Sequence, residues 1–239
     1  HFQLLGINGA FLTGDVFNLF VFFEVLLIAS YGLMLHGGGP GRLKAGFQYV
    51  AINLIASTVF LFAVGLIYAV TGTLNMADLA VKVAQVGEAD VALLRTGALL
   101  LFGVFAVKAA FVPLHWWLPM AYAAAPAPAA ALFAIMTKVG AYSILRVYTL
   151  IFGAGAGPLA DVVEPLVLPA AMVTLAIGTV GVLASRSLVE LVCYSVVASM
   201  GTLLIAVGVF DSISLSAALY YLVHSTLASS SLFLIADLV

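Results

Sequence analysis

Four ionisable residues stand deep inside otherwise apolar runs. They are Glu24 in FVFFEVLLIAS, Lys108 in VFAVKAAF, Lys138 in FAIMTKVGAY and His224 in YYLVHSTLAS. A lysine at the centre of a bilayer costs roughly 2.5–3.5 kcal/mol on insertion scales. A sequence that carries that cost twice, with a carboxylate and an imidazole besides, points to groups kept for moving protons or ions. A carboxylate beside a buried ammonium holds the proton on the lysine, and its withdrawal frees that proton for the next carrier. Hydroxyls and carbonyls freed at a helix break can hold bridging water. The bland alternatives are a buried structural ion pair between Glu24 and Lys108 and, for His224, a satisfied polar group in a Ser/Thr-rich helix. His115, in the cluster His115-Trp116-Trp117, is weighed as an accessory carrier, but a structural role in a bend is the stronger reading. No spacing of His, Cys, Asp or Glu suggests a metal site, and nothing points to an organic cofactor. GGGPG lacks a phosphate-loop pattern, and no Ser/His/Asp hydrolase signature appears.

The elements that must position these groups are hydrophobic spans. Residues 1–12 read as the end of one span, with Thr13-Gly14-Asp15 as a turn. Full spans follow at Val16–Leu35 and Phe47–Val70, the second carrying Asn53, Ser57 and Thr58, which can bond to neighbouring helices. The loop between them, His36–Lys44, carries Arg42 and Lys44. Residues 71–95 are the polar region, in which Met76–Val86 is expected to be a short interfacial helix with Asp78 and Lys82 paired at i,i+4. The next span, from Gly97 to about Leu118, is expected to break near Pro113. The one after Pro128 should run to about Phe152. Pro165–Ala184, Leu191–Phe210 and Ile213–Val239 complete seven spans plus the partial one. Cations favour the side of Arg42, Lys44 and Arg186 as cytoplasmic, with Asp15, Asp161, Glu164 and Asp211 on the other.

Composition agrees. Of 239 residues 65% are hydrophobic and 8% charged, against about 25% charged in soluble domains. Mean hydropathy is +1.26. The fold class is therefore an all-α polytopic membrane protein in the lipid bilayer. A formal net charge of −2 gives no basic face for nucleic acid. The single Cys193 excludes an internal disulfide. The chain begins with His1 and lacks a signal peptide, so an internal fragment of a longer membrane protein, with one transmembrane domain over 1–239, is expected.

The stretches NGAFLTGDVFNLFVFFEVLLIASYGLMLHG, FAVKAAFVPLHWWLPMAYAAAPAPAAALFAIMTKVGAYSILR and YYLVHSTLASSSLFLIADLV resemble the antiporter-like subunits shared by Mrp multisubunit cation/proton antiporters and respiratory complex I. The likeness covers essentially the whole chain and is greatest to the MnhD/PhaD branch of Mrp systems. It implies an antiporter-like helix bundle of inverted repeats, each with a broken helix, with most of the first repeat at 1–152 and the start of the second at 164–239. It also implies that Glu24 is the essential glutamate, Lys108 its partner on the broken helix, Lys138 the central lysine and His224 the histidine of the second broken helix. Many complex I relatives carry a lysine four residues after that histidine, where this chain has Ala228. The expected function is thus a non-enzymatic part of a Na⁺ or K⁺/proton antiporter in the cell (inner) membrane, partnered by the other subunits of a hetero-oligomeric Mrp-type complex. The alternative is a proton-pumping component of complex I or a related membrane hydrogenase.

Overall fold

The computed structural model describes residues 1–160 and 162–239; Asp161, placed above among the acids of one loop side, lies outside the described residues. The described chain is helical, and seven of its segments are long and apolar enough to cross a membrane. The order is α1 (Phe2–Leu12), α2 (Val16–Leu35), α3 (Pro40–Thr71), α4 (Met76–Lys82), α5 (Glu88–Lys108), α6 (Trp117–Ala124), α7 (Ala127–Phe133), α8 (Met136–Leu150), α9 (Glu164–Ala184), α10 (Leu188–Gly208) and α11 (Ser212–Ala236).

Local chemistry sets several of these ends. Asp15 caps α2 by accepting from the Asn18 amide at 2.9 Å. The turn before it is stitched to the loop after α3: the Val16 amide donates to Leu74 O and the Met76 amide to Gly14 O. The start of α2 and the end of α3 therefore share one side of the bundle. Pro40 at the first turn starts α3 seven residues earlier than the composition suggests, because its missing N–H falls where a helix has no use for one. On the opposite side Arg42 Nε donates to Ala124 O at 2.8 Å, tying the α2–α3 loop to the end of α6. The expected interfacial helix forms as α4, with Asp78 and Lys82 paired at 3.1 Å. Hydrogen bonding from the Thr73 hydroxyl and from Lys82 holds the Asp78 carboxyl below its ordinary range.

Two features differ from expectation, and both bear on the site. The span carrying Lys108 ends at Lys108, ahead of Pro113. The span carrying Lys138 is itself interrupted, between α7 and α8. Packing is close where residues are small. A Cβ on Gly201 would clash with the Leu175 backbone N, so the glycine lets α9 and α10 pack backbone to backbone. In the core, Phe23, Phe60 and Phe105 from α2, α3 and α5 meet with ring centroids 5.4–6.3 Å apart. Ser230 Oγ donates to Ala131 O at 2.8 Å, tying α11 to α7.

Candidate functional site

Lys108 is the last residue of α5, and the way that helix stops explains its surroundings. The Phe111 amide bonds back to Ala106 O at 2.9 Å and the Ala110 amide to Val107 O at 3.1 Å. This is the paired closure that ends a helix on a left-handed residue, here Ala110 at φ 54°. The chain stays irregular to Trp116, and neighbours satisfy its freed groups. Thr174 Oγ1 accepts from the Val112 amide at 3.1 Å, and Trp117 Nε1 donates to Val107 O at 3.0 Å. Lys108 thus sits at the carbonyl end of α5, where the helix dipole favours a cation. Its side chain is 4% exposed.

The partner of Lys108 is Asn53 on α3. Lys108 Nζ donates to Asn53 Oδ1 at 3.2 Å, while Asn53 Nδ2 is fixed by Tyr49 O at 2.8 Å. Phe23 offers its ring face 5.9 Å from the ammonium. Glu24 does not touch Lys108: no ion pair joins them among the described residues, where the pair at Asp78 and Lys82 is exposed. Glu24 is instead bonded by the Ser57 hydroxyl, one turn along α3 from Asn53. The carboxylate and the ammonium therefore each bond a neutral side chain of α3, one helical turn apart. Beside Lys108 lies a cavity lined by Phe23, Leu26, Leu27, Asn53, Trp117 and Met136. It offers about 10 Å³ to the centre of a water molecule, room for about one.

Lys138 stands in the first turn of α8 and is 0% exposed. Its Nζ has no hydrogen-bond partner among the described residues. α8 reaches the break directly: a Cβ on Gly140 would meet Ala109 N at 2.7 Å and the Lys108 carbonyl carbon at 2.8 Å. Two residues before it, Lys138 shares its helix face with Ala141, Tyr142 and Leu145, which border Leu203, Val207 and Leu222 of α10 and α11. The two lysines thus lie at facing helix ends, one in the break and one beside it.

The other sequence-derived residues fall differently. His115 lies within the break, half-buried, with its Nδ1 buried and without a partner among the described residues. His224 does not join the cluster. It is exposed on α11, its ring 6.1 Å from that of Tyr221. Asn53 and Ser57 were visible in the sequence only as polar residues of an apolar helix. Their i,i+4 spacing was the signal that both lie on one face.

The sequence pattern of the NADH:quinone oxidoreductase/Mrp antiporter transmembrane family matches residues 13–239. Among curated proteins the chain is 52% identical over 240 residues to the D component of a probable K⁺/H⁺ antiporter from Rhizobium meliloti (strain 1021), a match covering 100% of this chain and 44% of that one. It is 43% identical to the D component of the Na⁺/H⁺ antiporter of Bacillus subtilis (strain 168), covering 98% of this chain and 47% of that one. Among solved structures it superposes on a chain of the Mrp complex from Dietzia sp. DQ12-45-1b with a TM-score of 0.85 and 35% identity, over 98% of this chain and 43% of that one. The chain spans a little under half the length of these relatives.

Proposed function

The chain belongs to the NADH:quinone oxidoreductase/Mrp antiporter transmembrane family and is a multi-pass membrane protein, and from that premise we propose that it is part of the D-type component of a multisubunit monovalent cation/proton antiporter. The cation is Na⁺ or K⁺, the classes that the named relatives carry. Its partners are the other subunits of such a complex, in the cell membrane. It makes and breaks no covalent bond beyond N–H and O–H exchange. Residues 1–152 supply most of one repeat and 164–239 the start of a second.

The observation that carries this reading is the placement of two buried lysines at facing helix ends. Lys108 has a polar partner and Lys138 has none among the described residues. An ammonium without a partner in a membrane interior is expensive, so Lys138 gains most by passing its proton on. Lys108, held by Asn53 with Glu24 bonded one turn along the same helix, is the donor. Transfer in this direction requires that the Asn53 contact to Lys108 loosen, as a shift of α3 would bring about. His115 is an accessory carrier in the break. His224 is assigned the corresponding role in the second repeat on the resemblance alone.

The test is ion exchange in inverted vesicles from cells lacking their own Na⁺/H⁺ exchangers, with the intact protein expressed alongside its genomic neighbours. Addition of Na⁺ or K⁺ is expected to collapse an imposed pH gradient. A gradient indifferent to both cations, but built up when NADH is supplied, would transfer the protein to the redox-driven branch of the family.

A further inference from the structure

Hydroxyls within the helices of this chain commonly bond back to the carbonyl four residues earlier. Ser143, Thr149, Thr174 and Ser195 do so at 2.7–2.8 Å. Thr137 does not. It is 0% exposed, and its Oγ1 has no hydrogen-bond partner among the described residues. The carbonyl it would use belongs to Phe133, on the far side of the interruption between α7 and α8; that oxygen accepts at 2.7 Å from the hydroxyl of Tyr122, a fully buried residue of α6, and no bond from Thr137 reaches it. Phe133 is also where α7 stops, with two residues between it and the start of α8. A buried hydroxyl held away from its backbone acceptor is costly and calls for an explanation.

Its position supplies one. Thr137, Gly140 and Ile144 follow one face of α8 at helical spacing, and Tyr148 continues that face and donates to Ala98 O of α5 at 2.6 Å. Gly140 packs on the Lys108–Ala109 backbone, and Met136 lines the cavity at Lys108. Thr137 therefore lies on the side of α8 turned to α5 and its break, while Lys138, the next residue, belongs to the face turned to α10 and α11. The hydroxyl thus lies on the face of α8 turned to the element that ends at Lys108, one residue before Lys138.

We propose that Thr137 is the relay site between Lys108 and Lys138. Its hydroxyl, kept off the helix backbone by Tyr122, holds a water molecule through which the proton passes. The Lys108 N–H bond breaks as that proton joins the water oxygen. A different proton leaves the water and forms an N–H bond on Lys138. Water and hydroxyl end unchanged, and one positive charge moves from the first lysine to the second. Tyr122 is a positioning residue: it acts only by occupying Phe133 O. This relay rests on the reading of the lysines as proton carriers.

The experiment compares proton exchange by the intact complex in inverted vesicles carrying wild type, Thr137→Val, Thr137→Ser, Tyr122→Phe, the Tyr122→Phe/Thr137→Val double variant and Lys138→Ala, at matched complex abundance. Thr137→Val should slow exchange by about tenfold or more, the loss of one hydrogen bond to a charged path. Thr137→Ser should restore it. Tyr122→Phe should also slow exchange, because the freed Phe133 carbonyl captures the Thr137 hydroxyl. It should add nothing to Thr137→Val, since both act through one hydroxyl. Wild-type exchange in Thr137→Val, beside a dead Lys138→Ala, removes the relay and leaves the transport reading standing. Multiplying losses in the double variant remove the role given to Tyr122. If wild type and Lys138→Ala are both inert, the transport reading falls and takes the relay with it. Tyr122→Phe preserves the packing, so it decides the matter even if the valine variant fails to assemble.

Discussion

Lys108 and Asn53 are joined by a 3.2 Å hydrogen bond across the α3–α5 interface, and that bond stands where an ion pair with Glu24 would otherwise be expected. A neutral amide stabilises a buried ammonium without matching its charge. The lysine is therefore held but not locked, which suits a group that must give its proton up. Glu24 is bonded by Ser57, one turn along the same helix, so a small movement of α3 would alter both contacts together.

Asn53→Leu removes the only side-chain acceptor bonded to Lys108 among the described residues. A hydrogen bond to a charged group is worth about 1.5–3 kcal/mol, or about 10–100-fold in an equilibrium. Proton exchange by the intact complex should fall by at least about tenfold at equal abundance. Asn53→Asp should also slow exchange, because a carboxylate in direct contact keeps the proton on Lys108. Initial rates of gradient collapse check both; a leucine variant at wild-type rate would contradict the assignment of Asn53.

Gly140 is where α8 lies against the break. An added methyl would sit 2.7 Å from Ala109 N and 2.8 Å from the Lys108 carbonyl carbon, both backbone atoms that cannot swing aside. Gly140→Ala should destabilise the protein by about 1–3 kcal/mol, as overpacking does, and part the two lysines. The expected readout is a lower thermal midpoint of the solubilised complex together with slower exchange. An unchanged midpoint would show that the two helices are free to separate.

Ala110 carries the left-handed turn that ends α5, at φ 54°. That conformation costs a side-chain-bearing residue about 1–2 kcal/mol. Glycine escapes the cost but loses a buried methyl worth about 0.8 kcal/mol. Ala110→Gly should therefore be neutral to stabilising by up to about 1 kcal/mol, with exchange retained. Thermal unfolding of the solubilised complex measures it, and a clear loss of stability would mean that the methyl, not the backbone, matters at this position.

The membrane spans were legible because each is a long apolar run with polar or glycine-rich punctuation, and the Asp78–Lys82 pair was legible because i,i+4 spacing puts both on one helix face. The break at Lys108 was only half legible. Pro113 announces that a helix cannot continue, but the actual stop is a backbone closure through an alanine in a conformation usually left to glycine. The interruption before Lys138 was not legible at all. The carbonyl at its start is held by Tyr122, from another element, and no local pattern records that. Opposite charges suggest that Glu24 and Lys108 pair, but which side chain reaches Lys108 depends on how α3 lies between α2 and α5, and Asn53 is the one bonded to it. His224 stands deep in apolar sequence, but apolar residues in a membrane protein line exposed faces as readily as cores, and it lies on such a face.

The central claim is that protons pass through Lys138. Solid-supported-membrane or vesicle recordings of the intact complex, comparing wild type with Lys138→Ala and Lys138→Arg, test it most directly. Both substitutions should abolish cation-driven proton movement while leaving assembly intact, the first by removing the carrier and the second because arginine does not release its proton. Undiminished proton movement in an assembled Lys138→Ala complex would contradict the account.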